Sequence, residues 1–158
     1  MAEQKTNVML LMEQKKVQYT AHEYPHGDEA VDGLTVATIT GQDPARVFKT
    51  LVARGTGGKI YVFVIPVAME LELKKAAKAV REKSVSMVHV NELLGQTGYV
   101  RGGCSPIGMK KRYPTVFHSS MTEHETILVS AGKIGSQAEL RPADLLSLTG
   151  GSSADIAE

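Results

Sequence analysis

Residues 47–65 read Val47-Phe48-Lys49-Thr50-Leu51-Val52-Ala53, then Arg54-Gly55-Thr56-Gly57-Gly58-Lys59, then Ile60-Tyr61-Val62-Phe63-Val64-Ile65. The glycine-rich centre is a hairpin-type loop between two strands. In the first strand, the two-residue period puts Val47, Lys49, Leu51 and Ala53 on one face, with Phe48, Thr50 and Val52 on the other. The returning strand, Lys59 to Val67, carries an apolar run on both faces, as a strand covered on both sides at the centre of a sheet does.

Elements of both kinds flank this pair. On the N-terminal side, Thr6 to Lys16 is predicted as a helix with Val8, Leu11 and Met12 on one face. A strand over Val17 to Tyr24 follows, and then a helix within Leu34 to Thr40 that stops at Gly41. On the C-terminal side, Leu71 to Arg81 is predicted helical, with Leu73, Ala76, Ala77 and Val80 as the buried stripe. A short strand near Ser86 to His89, a helical turn at Asn91 to Gly95 and a glycine-rich loop at Gly98 to Gly108 come next. Short strands at Thr115–His118, Thr126–Ser130 and Gln137–Leu140 precede a last helix, Pro142 to Leu148, with proline in its first turn. Strands and helices interleave, which makes the class α+β around a mixed sheet.

The chain has 158 residues, 42% of them hydrophobic, enough for one domain over residues 1–158 with a core that needs no covalent staples. Eighteen basic residues against seventeen acidic give a net charge of +1, which excludes a polybasic wrapper and an acidic tail but leaves room for a local basic patch. A single cysteine, Cys104, provides neither an internal disulfide nor a zinc cluster. The opening residues Met1-Ala2-Glu3-Gln4-Lys5 lack a signal-peptide core, and no apolar run reaches the ~20 residues of a membrane span, so the expectation is a cytoplasmic protein without a membrane partner.

The common catalytic signatures are missing: no Gly-x-Ser-x-Gly elbow, Walker loop, His-Glu-x-x-His or Gly-x-Gly-x-x-Gly. The five histidines are scattered, and His22 and His26, four apart, straddle Pro25 instead of sharing a helix, so no metal or cofactor is expected. Lys49 stands out, because a lysine among apolar strand neighbours either snorkels to water or aims its ammonium into a pocket. The loop Arg101-Gly102-Gly103-Cys104-Ser105-Pro106-Ile107-Gly108 combines adjacent glycines, which let backbone approach a ligand, with a proline that holds Ser105 extended. Cys104 has no histidine near it in sequence to draw off its proton and reads as a small hydrophobe. Basic residues gather at Lys74, Lys75, Lys78, Arg81 and Lys83, and again at Lys110, Lys111 and Arg112. These are either solvated faces or one rim for phosphates.

Six segments taken together resemble the YbaK/EbsC family. They are Val47 to Val52, Ile65-Pro66, Leu71 to Lys75, Thr97 to Gly108, Val129 to Gly135 and Ala154 to Ala157, in matching order from about residue 6 to residue 157. The resemblance implies a single α+β domain with a mixed, curved sheet flanked by helices, like the editing domain inserted in bacterial prolyl-tRNA synthetases. It implies trans-editing of aminoacyl-tRNA, with removal of cysteine from tRNA(Pro) and also from tRNA(Cys), and prolyl-tRNA synthetase as a partner. Such a task exists because a binding pocket separates amino acids of similar bulk by only about 1–3 kcal/mol per methylene. By the same resemblance Lys49 and Gly102 are the catalytic positions, the latter through its carbonyl. Tyr24, Thr50, Gly103, Ser105, Pro106, Ser130 and Gln137 bind substrate, with Gln137 where relatives can have aspartate. Apart from the resemblance, the clustering of Lys74, Lys78, Arg81, Lys110, Lys111 and Arg112 makes them the expected contacts to tRNA phosphates.

The mechanism implied is attack by the substrate cysteine's own sulfur on its ester carbonyl, which suits a chain without a nucleophile–base pair. Two rivals stay open at this point. One is a hydrolase in which bound water clears another amino acid, such as alanine or proline. The other is a non-catalytic module that binds aminoacyl-tRNA or a synthetase.

Overall fold

A computed structural model describes residues 5–158; the reading of the opening residues therefore lies, for positions 1–4, outside the described residues. The central hairpin forms as expected. Strand β2 (Phe48–Gly55) pairs antiparallel with β3 (Ile60–Pro66), with Lys49 opposite Ile65 and Thr50 opposite Val64. All seven residues of β3 are buried. On its other side β3 runs parallel to β5 (Thr115–His118), which runs parallel to β8 (Ser152–Ala154), while β4 (Val85–Met87) caps the far end of β2. The resulting five-stranded mixed sheet has the order β4-β2-β3-β5-β8.

A second, three-stranded antiparallel sheet has the order β1-β7-β6, built from β1 (Thr20–Glu23), β6 (Ile127–Ser130) and β7 (Ser136–Leu140). The two sheets are joined by a parallel bridge between Val47 and Leu128. At that joint the Leu128 N–H donates to the Arg46 carbonyl at 2.9 Å, and the Val67 N–H donates to the Val47 carbonyl at 2.8 Å.

The lack of alternation in β3 follows from packing on both faces. Val62 and Val64 join Met12 of α1 (Asn7–Gln14), Phe48, Phe117 and Ile127 in the larger core. Tyr61, Phe63 and Ile65 face Ala76 and Ala77 of α3 (Leu73–Ala79) together with Ile156. Helix α2 (Gly33–Thr40) ends at Gly41 in the left-handed region, φ 68°, as a glycine C-cap does. Helix α5 (Pro142–Thr149) closes the larger core with Leu145.

Three expectations are corrected. The strand read over Val17 to Tyr24 starts only at Thr20, because the Val17 N–H closes α1 on the Met12 carbonyl with Lys16 at φ 59°. Leu73 is 42% exposed: Glu72 caps α3 at its first turn, so the buried stripe shrinks to Ala76, Ala77 and a half-buried Val80. The turn read at Asn91 to Gly95 is a two-turn helix, α4 (Val90–Thr97). The polar strand β8 and the 3-10 turn Ser119–Glu123 have no apolar alternation and are invisible to periodicity. Among the described residues no helix is long and apolar enough to cross a membrane.

Candidate active site

Strand β4 pairs with β2 only at Ala53 to Gly55, and the Val52 carbonyl accepts the Val88 N–H. Between there and the Val47 bridge, β2 has no strand beside it on that edge. A cleft of about 930 Å³ opens there. Its walls are the β2 edge, the segment from Asp28 to Gly33, helix α4 with the loop that follows it, and the residues Ser130, Ile134, Ser136 and Gln137 of the second sheet. An unpaired strand edge is a row of backbone donors and acceptors, ready for a ligand with polar groups.

Because the cleft wraps the edge of β2, side chains from both faces of the strand enter it. Lys49 and Thr50 both line it. Lys49 is half-buried, and among the described residues no carboxylate lies within ion-pair distance of its ammonium. The Thr50 hydroxyl, the Ser136 hydroxyl and the Gln137 side-chain carbonyl are buried without a hydrogen-bond partner among the described residues. All three residues line this cleft. Leaving one such atom unpaired costs about 1–3 kcal/mol, and three among the lining residues of one cleft lack a partner from the described residues. Ser130 also lines the cleft; its oxygen accepts the Gly132 N–H at 3.2 Å and keeps its own proton to donate. Tyr24 is buried at the wall, held by its N–H to the Gly135 carbonyl and packed edge-on against His26.

Tyrosine hydroxyls pin both the glycine loop and the helix before it. The Tyr113 hydroxyl donates to the Gln96 carbonyl at 2.6 Å, and the Tyr99 hydroxyl donates to the Ile107 carbonyl. Gly102 sits at φ 85°, where a Cβ would stand 2.7 Å from the Ala30 Cβ, so only glycine brings this backbone to the cleft.

The structure therefore gathers Tyr24, Lys49, Thr50, Gly102, Ser130 and Gln137 around one cavity. It does not place Gly103, Ser105 or Pro106 there; all three are buried behind the loop. Gly103 passes so close to strand-flanking backbone that a Cβ would lie 2.9 Å from Lys133, and the Ser105 oxygen accepts the Ile107 N–H. Their special residue types serve the loop's own packing.

Cys104 touches the cleft yet is buried among Val52 and Ile60, and burial pushes its thiol pKa up to about 12. It is protonated at neutral pH and is no nucleophile. No histidine lines the cleft: His22 pairs with Glu139 at 2.8 Å, and His26 bonds the Gly27 carbonyl. Among the described residues no three His, Cys, Asp or Glu side chains gather as a metal site. Lys74, Lys78, Arg81, Lys83, Lys110, Lys111 and Arg112 are exposed and outside the cleft lining, while Lys75 is half-buried and pairs with Asp155 at 3.2 Å. They do not form one rim. Lys74, Lys78 and Arg81 ride on or just beyond α3, which packs on the Phe63 face of the sheet. Lys110, Lys111 and Arg112 lie between Met109 and Tyr113, which pack on the Val52 face.

Several lining residues went unread in the sequence. Asp28, Glu29 and Asp32 carry charge, but nothing in their spacing marks a site. Asp32 is already used as the α2 cap, and the Thr35 hydroxyl it accepts holds its carboxyl below the usual range. Val90, Leu94, Val100 and Arg101 line the cleft as well. The Val90–Leu94 spacing of four was a readable signal once α4 is known to be a full helix.

The profile of the aminoacyl-tRNA editing domain family matches residues 29–148 of this chain. A protein of Enterococcus faecalis (strain ATCC 700802 / V583), named as a candidate Cys-tRNA(Pro)/Cys-tRNA(Cys) deacylase, EbsC, is 47% identical over 154 residues. The match spans 98% of this chain and 94% of that protein. A solved structure described as a candidate trans-editing enzyme for prolyl-tRNA synthetase superposes with a TM-score of 0.82 at 23% identity, covering 96% of this chain and 94% of that one. The hypothetical protein APE2540 superposes at 0.85 with 20% identity, covering 96% and 99%. At those identities the two structures speak for the fold, and they agree on it. The profile match over most of the chain and the identity to EbsC along nearly all of it decide the assignment: this chain belongs to the aminoacyl-tRNA editing domain family.

Proposed function

We propose that this protein is a trans-editing deacylase that removes cysteine from mischarged tRNA(Pro), with residues 1–158 acting as one unit in the cytoplasm and prolyl-tRNA synthetase as a partner. The observation that carries the reading is a cleft with an unpaired ammonium at Lys49 and three unpartnered polar atoms, and with no activated nucleophile. The name of the Enterococcus relative supports the choice of cysteine.

In the proposed reaction the substrate supplies the nucleophile. Its thiol has an ordinary pKa of about 8.5, and the neighbouring α-ammonium lowers it. The thiolate sulfur bonds to the ester carbonyl carbon and the carbon–oxygen bond to the ribose breaks. The proton given up by the thiol ends on the ribose oxygen. The four-membered thiolactone then opens in water to free cysteine. The protein's part is to fold the ester into attack geometry, an advantage that reaches effective molarities of roughly 10⁵–10⁸ M in well-oriented systems. Lys49 stabilises the charge that builds on the ester oxygen, and the Gly102 carbonyl accepts the α-ammonium. Thr50, Ser130, Tyr24 and Gln137 fix the rest of the aminoacyl group. A neutral amide at Gln137 can both accept and donate, so it holds the substrate without adding a carboxylate.

The deciding experiment offers purified protein tRNA carrying cysteine, serine, alanine or S-methylcysteine. Rapid loss of cysteine alone, with a trappable thiolactone, is the expected result. Serine is the close comparison, since its hydroxyl matches the thiol in position but is a poor nucleophile near neutral pH. Equal release of alanine or S-methylcysteine would instead identify a water-using hydrolase. No release of any amino acid would leave a binding module.

A further inference from the structure

We propose that Val90 and Leu94 of α4, with Val100 just beyond it, form the seat for the terminal adenine base of the tRNA substrate. The proposal rests on the deacylase reading above and extends it from the aminoacyl group to the nucleoside.

These three side chains are 58%, 55% and 47% exposed, yet each lines the cleft. Single exposed apolar residues are ordinary. Three on one wall of one cavity are not scattered in that sense. Val90 and Leu94 stand four apart and so share one helix face. Leu93, on another face of α4, packs inward near Val52 and Cys104. The helix is thus anchored by one side and offers an apolar surface to the cleft with the other.

Volume and charge choose the occupant. About 930 Å³ lies at the upper end of cavities that enclose whole drug-sized ligands, far beyond what a cysteinyl group fills. In any aminoacyl-tRNA the amino acid is joined through a single ester to the ribose of the terminal adenosine. An aminoacyl group held at Lys49 and Gln137 therefore brings an adenosine into the rest of the same cavity. Asp28, Glu29 and Asp32 of the lining repel phosphate, whereas Arg101, which follows Val100 directly in the chain, attracts it. A flat purine against Val90, Leu94 and Val100, with its phosphate toward the Arg101 guanidinium, fits that lining.

The test compares two substrates. Because the altered side chains are exposed, Val90→Ser/Leu94→Ser should fold, as a melting curve checks. Its kcat/KM on cysteinyl-tRNA should fall about tenfold, the low end of what a lost apolar pocket contact does. Turnover of cysteine ethyl ester, which has no nucleoside, should not change, and Leu94→Met should stay near wild type. Loss on both substrates alike, or on neither, would overturn the proposal. Loss of a concentration-dependent dimer in the double variant would overturn it too, by making the wall an interface between copies. A second readout stands apart from activity. Millimolar adenosine should shift the methyl resonances of Val90, Leu94 and Val100 more than uridine does, and unmoved methyls would overturn the seat. If wild-type protein released no amino acid from any tRNA, the deacylase reading would fail while the methyl titration still decided this one.

Discussion

Lys49 and Thr50 are neighbours in β2 and project from opposite faces of the strand, yet both line the same cleft. A cavity lying against one face of a sheet cannot do this. It requires an edge, and β4 supplies one by pairing only as far as Ala53.

From that placement Lys49→Ala is expected to fold, since the ammonium has no partner to lose, and to lose at least about tenfold in deacylation. One positioned contact to a charged group is worth roughly 1.5–3 kcal/mol. Single-turnover deacylation with a melting curve checks it, and a folded variant near wild-type activity would contradict the role proposed for this residue.

Cys104 should be dispensable for chemistry. With its thiol pKa pushed up to about 12 by burial, it should react slowly with iodoacetamide at pH 8 in the folded protein and quickly after denaturation. Cys104→Ala should keep most of the activity, with any loss following the change in stability. Abolished turnover at unchanged melting temperature would make Cys104 the nucleophile.

The two basic segments are expected to behave differently under salt, because they lie on opposite faces of the five-stranded sheet. A single acceptor stem lies along one of those faces. Neutralising either Lys74, Lys78 and Arg81 or Lys110, Lys111 and Arg112 should lower the salt dependence of tRNA binding by roughly one unit per lost phosphate contact, and neutralising the other set should leave it unchanged. Filter binding across a salt series measures both. Two equal effects would require a substrate that wraps the sheet.

The Ile156 N–H donates to Nδ1 of His118 at 3.3 Å, and burial lowers the pKa of this imidazole. The neutral ring is the one that accepts. The folded-state pKa is depressed, so the stabilisation is fully present above the unfolded value of about 6.5 and is lost as pH falls through the folded one. Melting temperature should therefore drop on acidification below about pH 6.5. His118→Asn, whose side-chain oxygen accepts at all pH values, should flatten that part of the profile.

The fold was largely legible because its centre is written in apolar periodicity. Ile60 to Ile65 could only be a covered strand, and Gly41 could only end a helix. What escaped was set by partners rather than pattern. Strand β8 is Ser152-Ser153-Ala154, which becomes a strand by lying beside β5. Leu73 looked like core and is exposed because Glu72 starts the helix just before it. In the site, Lys49 announced itself as a charge among apolar neighbours. Ser136 did not, since an unpartnered hydroxyl is visible only once its surroundings are known. Gly103, Ser105 and Pro106 were read as binding residues because loop chemistry and ligand chemistry draw on the same amino acids.

Lys49 belongs to one sheet and Gln137 to the other, and the sheets meet at the Val47–Leu128 bridge. Next to that bridge Arg46 reaches across to the Thr126 carbonyl at 3.1 Å and to the Glu139 carboxylate at 2.7 Å, which His22 and the Thr126 hydroxyl also hold. The spacing between the two halves of the site is thus gauged by a rivet outside it. Wear at that rivet would blunt the enzyme's accuracy before it softened the fold, so drift in amino-acid selectivity can arise from residues that never meet a substrate.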